Sequence, residues 1–122
     1  MSYHKQTGDS GEEFAVSFLI DNGYSIITRN ARSPLGEIDI VAQDKNILCF
    51  IEVKTRQEKS PLSALEAVTF AKQRKLTRLA ISYCQKNKVK ECLMRFDVVA
   101  VYMDERGIFQ ARLVKNAFDA TH

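Results

Sequence analysis

Charged side chains interrupt two apolar segments of the chain, where β-strands are expected and acidic residues are rare. Glu37 and Asp39 lie in the first segment, Glu52 and Lys54 lie in the second, and polar residues 42–46 separate them. This pattern predicts a β-hairpin with a loop of about five residues. Strand side chains alternate between faces, so each pair shares a face. If the two faces coincide, the carboxylates and the ammonium meet at one spot, which suits a divalent cation and a water molecule.

Such a cluster has the groups needed to hydrolyse a phosphodiester bond. Asp39 and Glu52 offer the hard oxygen ligands that Mg²⁺ or Mn²⁺ takes, and the backbone carbonyl of Val53 is a further candidate ligand. A metal at this place lowers the pKa of a bound water and stabilises negative charge in the transition state. Lys54 would orient or deprotonate the water, or neutralise the phosphate. Glu37 would support these ligands or hold a second metal. The alternative is that the buried Glu–Lys pair is purely structural.

The bulk properties of the chain indicate a single cytoplasmic domain. We expect a flexible N-terminus at residues 1–8, one folded domain at 9–118 and a short tail at 119–122. The net charge of +3 is compatible with a nucleic-acid partner without demonstrating one. The chain has three cysteines without metal-binding spacing, which is typical of reduced thiols in the cytosol. It shows neither a signal peptide nor an apolar run long enough to span a membrane.

The first helix places two acids near its start. Ser10 and Glu13 match a capping box, and the Asn22–Gly23 pair ends the helix. Helical spacing puts Glu13 opposite the apolar stripe and Glu12 at its border. We therefore attribute Glu13 to capping and expect Glu12 to face the domain. The alternative is that both acids are solvated and favoured by the helix dipole.

A second helix is predicted at residues 62–86, with Lys72 in the middle of its apolar stripe and Gln73 at the edge. Either this part of the helix faces a wet, charged cleft, or the helix breaks near Thr69 and leaves Lys72 exposed. A solvated basic face is expected from Arg74, Lys75 and Arg78.

Further strands complete an α/β fold, with a mixed five-stranded sheet flanked by two main helices. They are predicted at 24–29, 93–103 and 108–114, with a loop at 30–36. Arg29 and Arg32 beside this loop either contact phosphates or are simply solvated. Asp97, inside the most apolar strand, is expected to hold a basic partner or to cap a helix. Phe118 is expected to fold back onto the core.

The hairpin resembles the core of the PD-(D/E)xK nuclease superfamily, whose restriction-endonuclease-like fold has an αβββαβ core. The acid of its first motif maps to Asp39, and its (D/E)xK triplet maps to residues 52–54. Ile38 replaces the proline of the first motif, a change that affects packing more than ligation. More closely, the chain resembles the YraN-type family of endonuclease-like bacterial proteins. The matching motifs are Gly8 to Ala15, Gly23-Tyr24, Arg29 to Arg32, Gly36 to Asp39, Phe50 to Arg56, Lys72-Gln73 and Arg95 to Asp97.

The resemblance implies a Mg²⁺-dependent nuclease acting on DNA, on branched or end-bearing structures, similar to archaeal Holliday-junction resolvases. By analogy, Glu12, Lys72 and Gln73 complete the metal and phosphate site. The implied catalytic residues are Glu12, Glu37, Asp39, Glu52, Lys54 and Gln73. The implied nucleic-acid contacts are Arg29, Arg32, Arg56 and Lys72. Resolvase-like enzymes act as dimers, so a homodimer is expected. The rival hypotheses are a binding module that does not cleave and an interaction protein whose charges form a salt-bridge network.

Overall fold

A five-stranded sheet with the order β1-β2-β3-β4-β5 forms the centre of the computed structural model, which describes residues 3–56 and 68–120. Neighbouring strands are antiparallel except β3 and β4, which run parallel. The predicted α/β architecture with a mixed sheet is therefore confirmed. The elements are α1 (Tyr3–Asp21), β1 (Tyr24–Ser33), β2 (Gly36–Asp44), β3 (Ile47–Arg56), α2 (Phe70–Lys86), β4 (Leu93–Met103) and β5 (Phe109–Phe118). Within the described ranges, neither helix is long and apolar enough to cross a membrane.

The two helices pack on opposite faces of the sheet. Ala15 and Leu19 of α1 pack on one face, in a cluster with Ile40 and Ile51. On the other face, α2 packs against Phe50 and its neighbours through Leu76, Leu79 and Ala80. Strands β3 and β4 are covered on both sides, which explains their nearly continuous apolar sequence.

Helix α1 begins at Tyr3, so Ser10 lies inside the helix and the predicted capping box is wrong. The first helical turn contains no acid, and Glu13 is used elsewhere. Gly11 lies where the helix passes closest to β3, since a Cβ there would be 2.9 Å from the Thr55 hydroxyl oxygen. The missing side chain at Gly11 therefore brings the following residue, Glu12, close to the sheet.

The connections within the sheet are shorter than predicted. The β2–β3 ladder extends to the pair Asp44–Ile47, so the five-residue loop is wrong and a two-residue turn joins the strands. Lys45 in this turn has a φ of 58°. Strand β1 likewise continues through most of the predicted loop 30–36 and ends at Ser33. In both cases polar residues extend the ladder because their partners across the ribbon supply backbone hydrogen bonds.

Helix α2 begins later than predicted. Thr69 has an extended backbone and acts as its N-cap, with the Thr69 side-chain oxygen accepting a hydrogen bond of 3.2 Å from the Lys72 N–H. A single helix from 62 to 86 is therefore wrong at Thr69. The part of that prediction at 62–67 lies outside the described residues.

A buried polar network holds four strands together at the end of the sheet nearest the β2–β3 turn. The Arg95 guanidinium donates to both carboxylate oxygens of Asp97, at 2.8 and 2.9 Å, and to Asp44 at 2.8 Å. The Tyr24 hydroxyl donates to Asp97 at 2.7 Å, and the Asn116 N–H donates to the same carboxylate at 2.9 Å. Asp97, only 1% exposed, thus holds a basic partner, the first of the two predicted roles.

The network changes the ionisation of its members. Hydrogen bonds from Arg95 and then Lys115 hold the pKa of Asp44 below its usual range. Burial, followed by the hydrogen bond to Asp97, raises the pKa of Tyr24 far above its usual value. Beside the network, the predicted return of Phe118 is confirmed, because its ring stacks on Phe96 with centroids 4.8 Å apart.

Replacing Arg95 by alanine is expected to lower the free energy of unfolding by about 3 kcal/mol, because it leaves the buried Asp97 carboxylate without its cation. Urea denaturation followed by circular dichroism measures the change. Arg106→Ala is the matched control, since the Arg106–Asp104 ion pair lies at the surface, and a loss below about 0.5 kcal/mol is expected. Equal losses in the two variants would contradict the structural role of the network.

Candidate active site

Strands β2 and β3 separate at the point where the predicted site residues lie. Their backbone pairing ends at Ile40–Ile51. Beyond that pair, the Asp39 carboxylate replaces the missing backbone acceptor and receives a 2.8 Å hydrogen bond from the Val53 N–H. The N–H and C=O of one strand residue point toward the same neighbouring strand, so the Val53 carbonyl also faces the gap between the strands. The gap therefore contains a carboxylate and a carbonyl oxygen side by side.

Glu52 lies between two lysines on the α2 face of the sheet. Its Oε1 is 3.1 Å from Lys54 Nζ and 3.3 Å from Lys72 Nζ. Glu52 is only 7% exposed, so its charge requires these partners. Lys72 contacts a buried carboxylate, as the charged-cleft alternative predicts. The helix also begins just after Thr69, as the other alternative predicts. Lys72 therefore projects from the first turn of α2 toward the carboxylates.

The surroundings of Asp39 disfavour the ionised form of its carboxyl group. Burial, and after it the negative charges of Glu52, Glu12 and Glu37, together raise its pKa to about 7, against the opposing effect of the Val53 hydrogen bond. Acids from α1, β2 and β3 thus act on one carboxyl group. A cation placed among them would relieve both the burial cost and the repulsion.

Glu12 reaches the site from α1 and is held there by Arg29. The Arg29 guanidinium lies 2.7 Å from Glu13 Oε1 and 3.6 Å from Glu12 Oε1. The hydrogen bond that Arg29 donates to Glu13 raises the pKa of Arg29 above its usual value. Within the described residues, Glu12 Oε1 is buried without a hydrogen-bond donor. A buried acceptor of this kind is normally satisfied by a water molecule or by the hydration shell of an ion.

The other predicted residues lie at the rim of this site or have different partners. The Gln73 side-chain amide donates to the Val68 carbonyl at 3.1 Å, at the start of α2. Glu37 is exposed and lies 3.6 Å from Arg32, which is itself largely exposed. Arg56 is the last residue of β3. Its side chain lies outside the described part of the structure.

Sequence reasoning missed the contact between Arg29 and the acids of the first helix. The ladder pairs Ile26 with Ala42 but Thr28 with Val41, so Ile27 forms a β-bulge. The bulge places Arg29 opposite Ile40, on the α1 face. Regular alternation would have placed it on the other face. Two consecutive isoleucines are a weak signal for such a bulge in an otherwise alternating strand.

The donor set fits a magnesium ion that keeps part of its hydration shell. Within residues 3–56 and 68–120, no three Asp, Glu, His or Cys side chains are grouped so as to hold a metal by themselves. Mg²⁺, however, is usually bound through one or two carboxylates together with water and substrate phosphate. Asp39, Glu52 and the Val53 carbonyl supply such a set, and Glu12, whose Oε1 is unsatisfied, is one of the acids whose charge acts on Asp39.

Comparison with known proteins identifies the family. The model of the "Uncharacterised protein family UPF0102" matches residues 11–101. The chain belongs to UPF0102. A UPF0102 protein of Caldicellulosiruptor saccharolyticus is 47% identical over 115 residues, covering 93% of this chain and 98% of that protein. A UPF0102 protein of Symbiobacterium thermophilum is 46% identical over 116 residues, covering 95% and 98%. The resemblance to the YraN-type family is confirmed, and UPF0102 lies in the restriction-endonuclease-like superfamily.

A solved structure similar to this UPF0102 protein is that of Pyrococcus furiosus SfsA in complex with Ca²⁺. The similarity covers 89% of this chain and 62% of SfsA, with a TM-score of 0.36 and 13% sequence identity.

The raised pKa of Asp39 predicts how stability depends on pH without metal. The folded state holds the Asp39 proton up to a pKa of about 7, whereas the unfolded chain releases it near pH 4. The free energy of unfolding should therefore fall as pH rises between these values. At pH 8 in EDTA, Asp39→Asn should be more stable than wild type by about 2 kcal/mol. At pH 4 the difference should vanish.

Urea denaturation of both proteins at pH 4, 6 and 8 measures this difference. Asp119→Asn, a change at an exposed position, serves as the control for loss of one negative charge. A pH-independent difference between wild type and Asp39→Asn would mean that Asp39 is not protonated in the fold.

Proposed function

We propose that this UPF0102 protein is a cytoplasmic, metal-dependent endonuclease that hydrolyses phosphodiester bonds in DNA, with branched or end-bearing structures as its substrates. One observation carries the proposal. At the gap between β2 and β3, Asp39 and the Val53 backbone lie beside Glu52, whose carboxylate contacts Lys54. These are the residue types of the superfamily motif, joined by contacts that sequence alone does not establish.

The cofactor in this proposal is Mg²⁺ or Mn²⁺, held by Asp39, Glu52 and the Val53 carbonyl. When bound, such an ion lowers the pKa of a coordinated water and stabilises charge on the phosphate oxygens. Asp39 is buried beside other carboxylates, which supports this choice. The ionised carboxylates are more stable with a bound cation than without one. Glu12, with its buried unsatisfied oxygen, would accept a hydrogen bond from a water in the hydration shell.

The two lysines would divide the remaining work. Lys54 is the less exposed of the two and would hold the attacking water by a hydrogen bond. Lys72 is more open to solvent and would exchange its contact with Glu52 for the scissile phosphate. Gln73 would join the water or phosphate after leaving Val68, and Glu37 would assist from the rim. Arg29, Arg32 and Arg56 would contribute positive charge along the substrate. Arg29 would also hold Glu12 in place.

Glu52→Gln and Lys54→Met should each reduce DNA cleavage at least ~100-fold, because each removes a group that acts directly on metal or water. A panel of linear, flapped and four-way DNA with Mg²⁺ or Mn²⁺ measures the activity. Titration calorimetry should show metal binding that Glu52→Gln abolishes. Glu91→Gln and Lys90→Met remove the same charges at exposed positions and should cleave as wild type does.

The assigned roles fail if folded Glu52→Gln cleaves as fast as Glu91→Gln. Thermal unfolding of each variant separates loss of the site from loss of the fold.

A binding module without cleavage is the second candidate, and the pairing of Glu52 favours it. Glu52 is already neutralised by two lysines, as in a structural ion-pair cluster. Binding of all DNA substrates without cleavage, and without metal binding, would support this candidate. Absence of both DNA and metal binding would support an interaction protein instead.

A further inference from the structure

Helix α2 carries a concentration of positive charge, most of which the candidate active site does not use. It contains five Lys or Arg residues and no Asp or Glu, in a chain whose net charge is +3. The rest of the chain therefore has a net charge of −2. Three of the basic residues are exposed and form no salt bridge with the described part of the chain. They are Arg74, Lys75 and Arg78.

This charge pattern opposes the stability of the helix. Lys72 lies in the first turn, where the helix dipole favours acids. Arg78 lies four residues from Arg74 and three from Lys75, so their positive charges repel each other along one side of the helix. Covering the sheet requires none of these charges. An anionic ligand lying along the helix would remove both unfavourable effects.

The basic face is continuous with the carboxylate cluster. At one end, Lys72 contacts Glu52 at 3.3 Å. One turn further along, the Lys75 side chain lies over Gly36, with its Cε 2.9 Å from the position that a Cβ of Gly36 would take. Gly36 is followed directly by Glu37. A ligand bound along α2 would thus reach the β2 end of the candidate active site.

The surface beside this face is concave and partly apolar. A cavity of about 400 Å³ lies between α2 and the β1–β2 turn. It is lined by Leu35, Ala71, Arg74, Lys75 and Arg78. The Phe70 ring is 63% exposed and lies four residues before Arg74, on the same side of the helix. Cationic groups along a groove, next to an exposed aromatic ring, are the features with which proteins bind single-stranded nucleic acids.

We propose that this surface, the α2 track (Leu35, Phe70, Arg74, Lys75 and Arg78), binds a single strand of nucleic acid. The cations hold successive phosphates, and an unpaired base stacks on Phe70. A duplex offers the phosphates but keeps its bases stacked inside, so it cannot use the ring. That the bound nucleic-acid strand leads toward the carboxylates of the candidate active site rests on the proposed function. Binding along the α2 track does not require cleavage.

The test is fluorescence anisotropy of a labelled oligothymidylate with the full chain in EDTA, across a series of salt concentrations. The variant Arg74→Ala/Lys75→Ala/Arg78→Ala should bind at least ~10-fold more weakly. The slope of log affinity against log salt should also fall by about 2, since three phosphate contacts are lost. The control Lys90→Ala/Arg106→Ala/Arg112→Ala removes equal charge at other exposed positions and should keep the wild-type slope.

Phe70→Ala tests the stacking step. It should weaken binding of the oligothymidylate about 5-fold or more while leaving binding of a blunt duplex of the same length unchanged. Equal losses of affinity in the two triple variants would contradict binding at the α2 track, because the attraction would then be a property of the whole surface. Tighter binding of the duplex, with no effect of Phe70→Ala, would overturn single-strand binding. Preference for phosphatidylserine vesicles over oligothymidylate would likewise overturn it in favour of a membrane surface.

The outcome is separable from that of the proposed function. Binding is measured in EDTA, where a metal-dependent nuclease does not cleave, so the anisotropy does not depend on the proposed function. If no DNA is cleaved but the variant Arg74→Ala/Lys75→Ala/Arg78→Ala binds oligothymidylate more weakly than wild type, the proposed function fails. The proposal of single-strand binding by the α2 track is then supported. If DNA is cleaved and this triple variant keeps the wild-type KM, binding along the α2 track is contradicted. The proposed function is then supported.

Discussion

The hydrogen bond from the Val53 N–H to the Asp39 carboxylate is the contact on which the arrangement of the site depends. It lies where β2 leaves β3, after the pair Ile40–Ile51. A buried N–H without a partner costs about 1–3 kcal/mol, and the carboxylate satisfies it while the strands part. An acid inside a strand, unfavourable by propensity, is therefore explained as a replacement for a backbone carbonyl. The same exchange holds Asp39 in a buried position, which raises its pKa.

The gap also lets the two faces of the sheet contribute to one site. Glu52 and its lysines lie on the face covered by α2, whereas Glu12 approaches from α1 on the opposite face. In a continuous sheet the backbone ladder would keep these groups apart. Close approach of α1 at Gly11 and the bulge that turns Arg29 toward α1 bring Glu12 to the gap. The site therefore depends on three local irregularities of otherwise regular elements.

Strand alternation and helical spacing predicted most of the fold and the contact between Glu52 and Lys54. Apolar periodicity placed the strands and the order of elements, and alternation correctly paired Glu52 with Lys54 on one face. The start of α2 was missed because an apolar stripe continues on both sides of Thr69, whose hydroxyl caps the helix. Irregularities were also missed: the bulge at Ile27 and the left-handed Asn30, with a φ of 53°, depend on tertiary packing and have little signal in local sequence.

The polar network around Arg95 joins residues that lie far apart in the chain. Tyr24 comes from the first strand, whereas Lys115 and Asn116 come from the last. Contacts of such long sequence separation slow folding, since a large loop must close before they form. As the ribosome makes the chain from its N-terminus, Asp97 lacks one of its donors until residue 116 has been synthesised and has left the exit tunnel. The five-stranded sheet therefore reaches its final form only after β5 has left the exit tunnel.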